Sequence, residues 1–371
     1  MESLAQQLGR LTQPGTLYEK LPENRVRCHA CGHRCLILDG QDGICRVRFN
    51  RGGTLFVPHG YFAGVQCDPI EKKPFFHALP DTLAMSFGML GCDLHCGYCQ
   101  NWVTSQTLRD PASRAPGTRM TAVELCRVAV EQGANTVTST YNEPLITSEW
   151  GVEVFQEARR QGLRTAFVSN GNGTPEVVDY LQPWVDFYKV DLKSFRDKPY
   201  RELGGRLENV LRTLQQLWQK GFWVEVVTLI VPGFNDSAEE LRDAAQFLAG
   251  ISPDIPWHCT AFHPDYKMQE FAATPAATLE RACEIGHAAG LHYCYAGNLP
   301  GRCGDLENTR CPSCQELLIE RIGFNVRSYR LTEDGRCPKC ATAIAGRWDA
   351  RQTHAALQRL GPGERFPRAL R

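Results

Sequence analysis

The stretch Trp223-Val-Glu-Val-Val-Thr-Leu-Ile-Val231 is an almost continuous apolar run, and Pro232-Gly233 ends it. Such a run predicts a β-strand that is covered on both faces, as strands are in parallel sheets packed between helices. Similar short apolar runs lie on both sides of it in the chain, at residues 83–90, 136–141, 164–169, 187–192, 257–262 and 291–295. The opening stretch is therefore one strand of a series.

Segments with apolar residues at three-and-four spacing, typical of helices, separate these runs. They cover residues 122–132, 148–161, 176–181, 207–220, 238–249 and 276–289. Strand then helix, repeated six times, predicts an α/β protein with a parallel sheet and crossover helices. A partial (β/α)6 TIM-like barrel is the preferred architecture, and a doubly wound sheet is the alternative. In both, functional groups belong at the carboxyl ends of the strands.

Composition limits the classes of partner and of location that the chain can have. The chain has 371 residues, and lysine plus arginine equals aspartate plus glutamate at 41 each. No bulk charge therefore favours nucleic acid or an anionic membrane as partner. The first residues lack the pattern of a signal peptide and no apolar run is long enough to span a bilayer, so the sequence predicts a cytoplasmic protein.

Seventeen cysteines are clustered in a way that indicates metal ligands. Four lie between Cys28 and Cys45, three between Cys92 and Cys99, and four between Cys311 and Cys340. We accordingly predict an N-terminal cysteine-rich module (1–76), a core (77–300), a zinc-ribbon-like module (301–350) and a tail (351–371).

The central group lies in Gly91-Cys-Asp-Leu-His-Cys-Gly-Tyr-Cys-Gln-Asn-Trp102, directly after the first predicted core strand. Structural zinc sites and ferredoxin clusters normally take four protein ligands. Three local thiolates leave one position open, as in a [4Fe-4S] cluster with one free iron. The alternative is a zinc site that a distant residue such as His95 or Cys67 completes.

This C-x3-C-x2-C loop, with Tyr98 before its last cysteine, resembles the radical S-adenosylmethionine (SAM) superfamily. The resemblance implies that Cys92, Cys96 and Cys99 hold a [4Fe-4S] cluster and that SAM binds its open iron. It also implies an electron donor, because one electron cleaves SAM to a 5'-deoxyadenosyl radical.

Polar residues after the next strands are the expected SAM contacts, together with Tyr98. They are Asn142, Glu143, Asn170, Asp191 and Lys193. Strand alternation puts Lys189, Asp191 and Lys193 on one face, and they resemble the Asp-x-Lys of glycyl radical enzyme activases. The sequence has no Gly-Gly-Glu segment at Asn142, where the superfamily commonly has one facing the amine of SAM. His263, after the sixth strand, is the candidate acid or base.

The flanking cysteines form two four-thiolate sets. Cys-x2-Cys pairs at Cys311, Cys314, Cys337 and Cys340 predict a zinc site. Arginines between these pairs are interspersed with acidic residues, which argues against nucleic-acid binding. The other set, Cys28, Cys31, Cys35 and Cys45, accepts zinc or a second iron-sulfur cluster, and zinc is preferred.

Over most of residues 25–348 the chain resembles the AmmeMemoRadiSam-system radical SAM enzymes, relatives of pyruvate formate-lyase activating enzyme. The matching segments are the N-terminal cysteine motif, 68–74, 90–92, 99–102, 140–144, 189–193, 297–301 and the terminal ribbon. Memo-like and AMMECR-type proteins are the partners that this resemblance implies, and the substrate stays unidentified. Two alternatives are a glycyl radical enzyme activase and a zinc-ribbon binding protein without catalysis.

Overall fold

A computed structural model describes residues 4–113 and 115–349, and its centre is an eight-stranded sheet. We number the strands of this sheet β1 to β8 along the chain: Gly64–Pro69, Leu83–Gly88, Thr136–Ser139, Arg164–Ser169, Phe187–Asp191, Trp223–Ile230, Trp257–Ala261 and Cys294–Gly297. Neighbours in the sheet follow chain order; β2 to β8 are parallel, and β1 runs antiparallel to β2. A doubly wound sheet would reverse its strand order at a switch point. The predicted partial barrel is therefore confirmed.

Six helices connect the seven parallel strands, one at each crossing. They are numbered α1 to α6: Ala122–Glu131, Ser148–Arg160, Pro175–Leu181, Leu207–Gln219, Ala238–Ile251 and Ala276–Ala288. Shorter helical segments are Leu4–Gly9, Ile70–Lys72, Trp102–Ser105, Pro144–Thr147 and Asp197–Glu202. Across the two described ranges, each helix is too short or too polar to cross a bilayer.

Local sequence explains where several helices begin. Thr121 and Glu124 form a reciprocal capping box at α1, and the Ser237 hydroxyl accepts from the backbone N–H of Glu240 at α5. Thr174 caps α3, whose first residue is Pro175. Each helix then packs its apolar face on the sheet, where the core of the barrel is buried.

Two sheet positions differ from the prediction. The last strand is Cys294–Gly297 and not 291–295, and the edge strand β1 had not been predicted. Its sequence Gly-Val-Gln-Cys-Asp-Pro is half exposed along most of its length and ends at a proline. Proline is tolerated at a sheet edge because the edge needs no ladder N–H there, so hydrophobic patterning gives such a strand little signal.

The single acidic residue of the opening stretch, Glu225 on β6, is fully buried. Its carboxylate accepts from the backbone N–H groups of Phe76 and His77, each at 2.9 Å, and from His258 Nε2 at 2.7 Å. Burial would raise the pKa of Glu225, but the hydrogen bond and charge of His258, the charge of His77 and the Phe76 N–H together outweigh it and leave the pKa below its usual range. Glu225 thus fastens the segment before β2 to the barrel.

Outside the barrel, short antiparallel strands build the flanking regions. The N-terminal ones are Thr12–Pro14, Tyr18–Leu21, Arg25–Cys28, Leu36–Ile37, Phe49–Arg51 and Thr54–Pro58, and Tyr61–Phe62 pairs with Thr118–Arg119. Strand β1 belongs to the barrel sheet although it lies within residues 1–76. The module boundaries stay predictions, and the tail at 351–371 lies outside the described residues.

The C-terminal region is a three-stranded sheet of Thr309–Arg310, Leu317–Ile322 and Asn325–Tyr329. Arg321 fastens it to the barrel: Nη2 donates to the Phe76 carbonyl at 2.8 Å, and the guanidinium lies 4.4 Å from the Phe76 ring centroid. Apolar side chains of both parts form one buried cluster, which includes Tyr295 of β8 and Ile319. The C-terminal region therefore packs on the barrel through a continuous core.

Candidate active site

The three-cysteine loop follows β2 at the carboxyl edge of the sheet. The neighbouring backbone pins it: His95 N–H donates to the Leu203 carbonyl at 2.9 Å, and Lys267 N–H donates to the Gly97 carbonyl at 3.0 Å. The Leu94 carbonyl accepts from Arg109 Nη1 at 2.7 Å. The loop is thus held from several sides, as a ligand set for a cofactor requires.

Gly88, the last residue of β2, allows the close approach of the next strand end. A Cβ at Gly88 would lie 2.6 Å from the Thr140 carbonyl oxygen and 2.8 Å from Tyr141 Cβ. Tyr141 itself has a φ of 71°, which side-chain-bearing residues rarely adopt. The sheet therefore brings Tyr141 directly beside the start of the cysteine loop.

A chamber of about 380 Å³ opens beside the loop, and Cys96 and Cys99 line it. Burial raises the pKa of Cys96 to about 11, while the nearby Lys193 charge opposes the shift. The Tyr98 hydroxyl also belongs to a chamber-lining residue, is buried, and has no hydrogen-bond partner within the described ranges. Cysteine thiols that line a cavity and a buried hydroxyl without a partner are features of a site that receives a ligand.

Lys189, Asp191 and Lys193 of the β5 end all line this chamber, so their predicted common face is confirmed. Lys189 Nζ donates to Asp191 Oδ1, and Lys193 Nζ lies 3.6 Å from Asp191 Oδ2. Burial disfavours the charged form of Lys193, but the Asp191 and Cys96 charges outweigh it and raise the pKa of Lys193 well above its usual range. The chamber thus contains fixed positive charge beside the cysteines.

The same chamber is lined by a second pair of lysines, Lys72 and Lys73, which the sequence had not assigned to the site. Lys73 is only 5% exposed, and its Nζ donates to Asp68 Oδ2 at 3.1 Å and to the Tyr141 hydroxyl at 3.2 Å. Burial lowers the pKa of Lys73 to about 8, against the pull of Asp68. The sequence did not predict the burial of Lys73, because three consecutive charged residues normally indicate solvent exposure.

Asn142, Glu143 and Asn170 lie behind the loop, where they hydrogen-bond to protein groups. The Glu143 carboxylate accepts from Ser169 Oγ at 2.7 Å, Asn170 N–H at 2.8 Å and Leu145 N–H at 3.0 Å. Burial, and next the Asp93 charge, raise the pKa of Glu143 to about 8. Asn142 Oδ1 accepts from Met89 N–H at 2.9 Å. These contacts fit groups that position the loop, and a direct contact of the three residues with SAM stays a prediction.

A second chamber of about 500 Å³ adjoins the first, and both are lined by Gln100, Thr260 and Phe324. Phe324 belongs to the turn between the last two strands of the C-terminal sheet, so this region forms part of the wall. At the rim His263 is exposed, and its Nε2 lies 2.9 Å from Gln100 Nε2.

Glu71 lines the second chamber and is fully buried. Its Oε1 accepts from Asp81 N–H at 2.8 Å, whereas Oε2 has no hydrogen-bond partner in the described part of the chain. Burial raises the pKa of Glu71 to about 7, although Arg321 opposes the shift. A buried oxygen without a partner is costly, so this one is available to a ligand.

The C-terminal cysteines come together as predicted. Cys311 Sγ lies 3.5 Å from Cys340 Sγ, and Cys314 Sγ lies 3.6 Å from Cys337 Sγ. A tetrahedral zinc ion with Zn–S bonds of about 2.3 Å separates its sulfurs by about 3.8 Å. The arrangement therefore fits one zinc ion, and a zinc-ribbon-like module agrees with it.

Comparison with known proteins bears on the identity of the loop. The family model described as the radical SAM superfamily matches residues 88–248, which include all three loop cysteines. The uncharacterized protein MJ0808 of Methanocaldococcus jannaschii is 38% identical over 330 residues, covering 88% of this chain and 97% of that protein. The chain belongs to the radical SAM superfamily. It is accordingly an enzyme that uses a [4Fe-4S] cluster and SAM, and the alternative of a binding protein without catalysis is set aside.

Radical SAM relatives of named activity are more distant. The pyruvate formate-lyase-activating enzyme of Clostridium pasteurianum is 25% identical over 204 residues, covering 49% of this chain and 81% of that enzyme. Among solved structures, Streptococcus suis SuiB bound to its precursor peptide SuiA aligns with a TM-score of 0.46 and 16% identity, covering 62% of this chain and 51% of that one. A likeness of that degree says nothing about substrate.

Proposed function

We propose that Cys92, Cys96 and Cys99 hold the catalytic cluster and that the first chamber takes SAM. The observation that carries this proposal is the shared wall: Cys96, Cys99, Asp191 and the lysines line one cavity. A cluster held by these cysteines would supply the one electron that cleaves SAM to methionine and a 5'-deoxyadenosyl radical. A low-potential one-electron donor is therefore the required redox partner.

In this proposal the chamber residues bind and orient SAM. The Lys193 ammonium pairs with the SAM carboxylate, and Asp191 accepts from the ribose hydroxyls or the amino group. The Tyr98 hydroxyl provides a further polar contact. Because Lys193 is held charged by Asp191, this recognition persists across the neutral pH range.

The second chamber is the proposed substrate site. It adjoins the first through Gln100 and Phe324, so a substrate group there is next to SAM. Glu71 Oε2, buried and unpartnered, recognises a hydrogen-bond donor such as an amine or amide N–H. The radical takes a hydrogen atom from the substrate and becomes 5'-deoxyadenosine, which leaves the radical on the substrate.

The substrate, the protein partners, the location in the cell and the acid-base residue stay predictions. A glycyl radical enzyme as substrate has no observation that favours it over another protein or a small molecule. Association with Memo-like and AMMECR-type proteins, a cytoplasmic location and acid-base action by His263 are likewise untested expectations.

Anaerobic reconstitution tests the cluster assignment. Reduced enzyme with SAM is expected to form 5'-deoxyadenosine, and Cys96→Ala is expected to abolish it together with the catalytic cluster. Cys126→Ala is the matched control, because Cys126 is a buried thiol on α1 outside every cysteine group. Cleavage retained by Cys96→Ala would reject the ligand assignment.

The substrate site needs a separate readout. Candidate proteins and metabolites are incubated with reduced enzyme and SAM, and the mass change of each is followed alongside 5'-deoxyadenosine. Glu71→Gln, which changes a residue that lines only the second chamber, is expected to lower product formation while leaving basal SAM cleavage intact. Equal loss of both readouts would argue against a separate substrate chamber.

A further inference from the structure

The N-terminal cysteines are reduced thiols beside the catalytic loop, and three of the four are buried while Cys35 is half-buried. Cys28 ends a strand and its N–H donates to the Cys35 carbonyl at 3.0 Å, which closes the first three cysteines into one turn. Gly43 brings in the fourth: a Cβ there would lie 3.7 Å from Cys35 Sγ. Cys28, Cys31 and Cys45 are each 5% exposed, and all four thiols are free.

The four cysteines are close neighbours in the fold. Cys28, Cys35 and Cys45 all lie within electrostatic range of Cys31. Four cysteines gathered in this way are the usual ligand set of a metal centre, which binds them as thiolates. The four N-terminal cysteines therefore indicate a metal site.

Sulfur spacing separates a single ion from a cluster. In the described ranges, the C-terminal set alone brings three or more His, Cys, Asp or Glu ligand atoms within 4.8 Å of one another. No three ligand atoms of the N-terminal set, or of the loop set Cys92, Cys96 and Cys99, lie that close together. A cluster binds each thiolate through a different iron atom, which requires wider spacing than one zinc ion. In this respect the N-terminal set resembles the catalytic loop and differs from the C-terminal set.

A buried cation supplies an independent observation. Arg48 is 1% exposed and forms a bidentate pair with Glu149 at 2.7 and 2.8 Å, while its Nε has no partner among the described residues. Cys28 and Cys45 lie within electrostatic range of the Arg48 guanidinium. An unpartnered N–H donor near two thiolates is suited to the sulfurs of a cluster, whose properties depend on such hydrogen bonds.

We propose that Cys28, Cys31, Cys35 and Cys45 hold a second iron-sulfur cluster that packs against the catalytic loop. The contact is direct: His33 Nε2 lies 3.2 Å from the Asp93 carbonyl oxygen, and Gly32 N–H donates to the Asn172 carbonyl at 2.7 Å. Asn172 Nδ2 in turn donates to Asp93 Oδ2 at 2.8 Å. The inference concerns the metal at this set and is independent of the SAM contacts proposed above.

The test uses the full-length chain without its catalytic ligands. The triple variant Cys92→Ala/Cys96→Ala/Cys99→Ala is reconstituted anaerobically with iron, sulfide and zinc all present, and each is counted per chain. The triple variant is expected to keep about half of the wild-type iron, with sulfide in equal amount and visible thiolate-to-iron absorption. Adding Cys31→Ala and Cys45→Ala is expected to remove that iron, whereas adding Cys126→Ala and Cys283→Ala, two buried thiols elsewhere, keeps it.

Two outcomes overturn the proposal. A triple variant with two zinc ions per chain and no sulfide would assign the N-terminal set to zinc. A triple variant with one zinc ion and neither iron nor sulfide would show that the set holds no metal. Both are read on the triple variant itself, so a folding failure of the fivefold variant does not affect them. The triple variant is expected to lose SAM cleavage whichever metal the N-terminal set holds, so SAM cleavage is not used as a readout.

Discussion

Asn170 Nδ2 donates to Asp93 Oδ1 at 2.7 Å, which ties the end of β4 to the residue after Cys92, the first cysteine of the loop. Asp93 is fully buried, so its carboxylate depends on such donors. The backbone N–H of Asn170 also donates to Glu143 Oε2 at 2.8 Å. One residue therefore connects the ends of three neighbouring strands behind the cysteine loop.

Asn170→Ala is expected to lower the free energy of unfolding by about 1.5–3 kcal/mol, because a buried carboxylate loses a hydrogen bond. Iron per chain after reconstitution should fall with it, since the loop loses its support. Asn170→Asp should be worse, because it places a second carboxylate beside Asp93. Urea unfolding and iron analysis measure both. Gln182→Ala, at an exposed hydrogen bond, is the control, and equal values for it and Asn170→Ala would contradict the prediction.

Lys193→Met is expected to raise the KM for SAM about 10- to 100-fold, the equivalent of about 1.5–3 kcal/mol for a hydrogen bond to a charged group. The increase should be similar between pH 7 and 9, since Asp191 keeps the pKa of Lys193 well above its usual range. The rate of 5'-deoxyadenosine formation against SAM concentration measures it. Lys198→Met, at an exposed position, should leave the KM unchanged. An unchanged KM in Lys193→Met would remove Lys193 from the proposed SAM site.

Lys73 makes stability depend on pH in a defined window. Its pKa is about 8 in the folded chain, against about 10.4 when unfolded. Between these values the unfolded state binds more protons, so the Lys73 contribution to stability rises as the pH rises from 8 to 10.4, by up to about 3 kcal/mol. Unfolding free energies of wild type and Lys73→Met at pH 7.5 and 10 measure it. The free energy of unfolding of the wild type should rise relative to that of Lys73→Met as the pH increases. A constant difference between the two would show that Lys73 has the pKa of an ordinary lysine.

Cys337→Ser is expected to remove one zinc ion per chain and to loosen the C-terminal sheet from the barrel, because four thiolates close the site. Elemental analysis measures the zinc, and protease sensitivity of the Leu317–Tyr329 region measures the docking. Cys303→Ser changes another buried thiol outside the set and should keep the zinc. Zinc retained in full by Cys337→Ser would exclude these four cysteines as its ligands.

The repeated strand-helix pattern predicted the barrel well because each element has its own periodicity and covered strands are apolar throughout. The edge strand β1 was not predicted, because a half-exposed edge strand does not have such a pattern. At the site, the β5 end was predicted because alternation puts Lys189, Asp191 and Lys193 on one face. Lys73 was not, because its burial depends on Asp68 and Tyr141, and Tyr141 is distant in the chain.

By itself, the sequence determined the order of strands and helices, the three-cysteine loop and its family, because these depend on local spacing. Only the tertiary structure decided which strand-end groups face the chambers: Lys193 lines one, while Glu143 is engaged by Ser169 and Asn170 behind the loop. It also distinguished the tight thiolate set at Cys311 from the other two cysteine sets. The reason is physical: ligand spacing and burial arise from contacts between segments far apart in the chain, which local pattern does not encode.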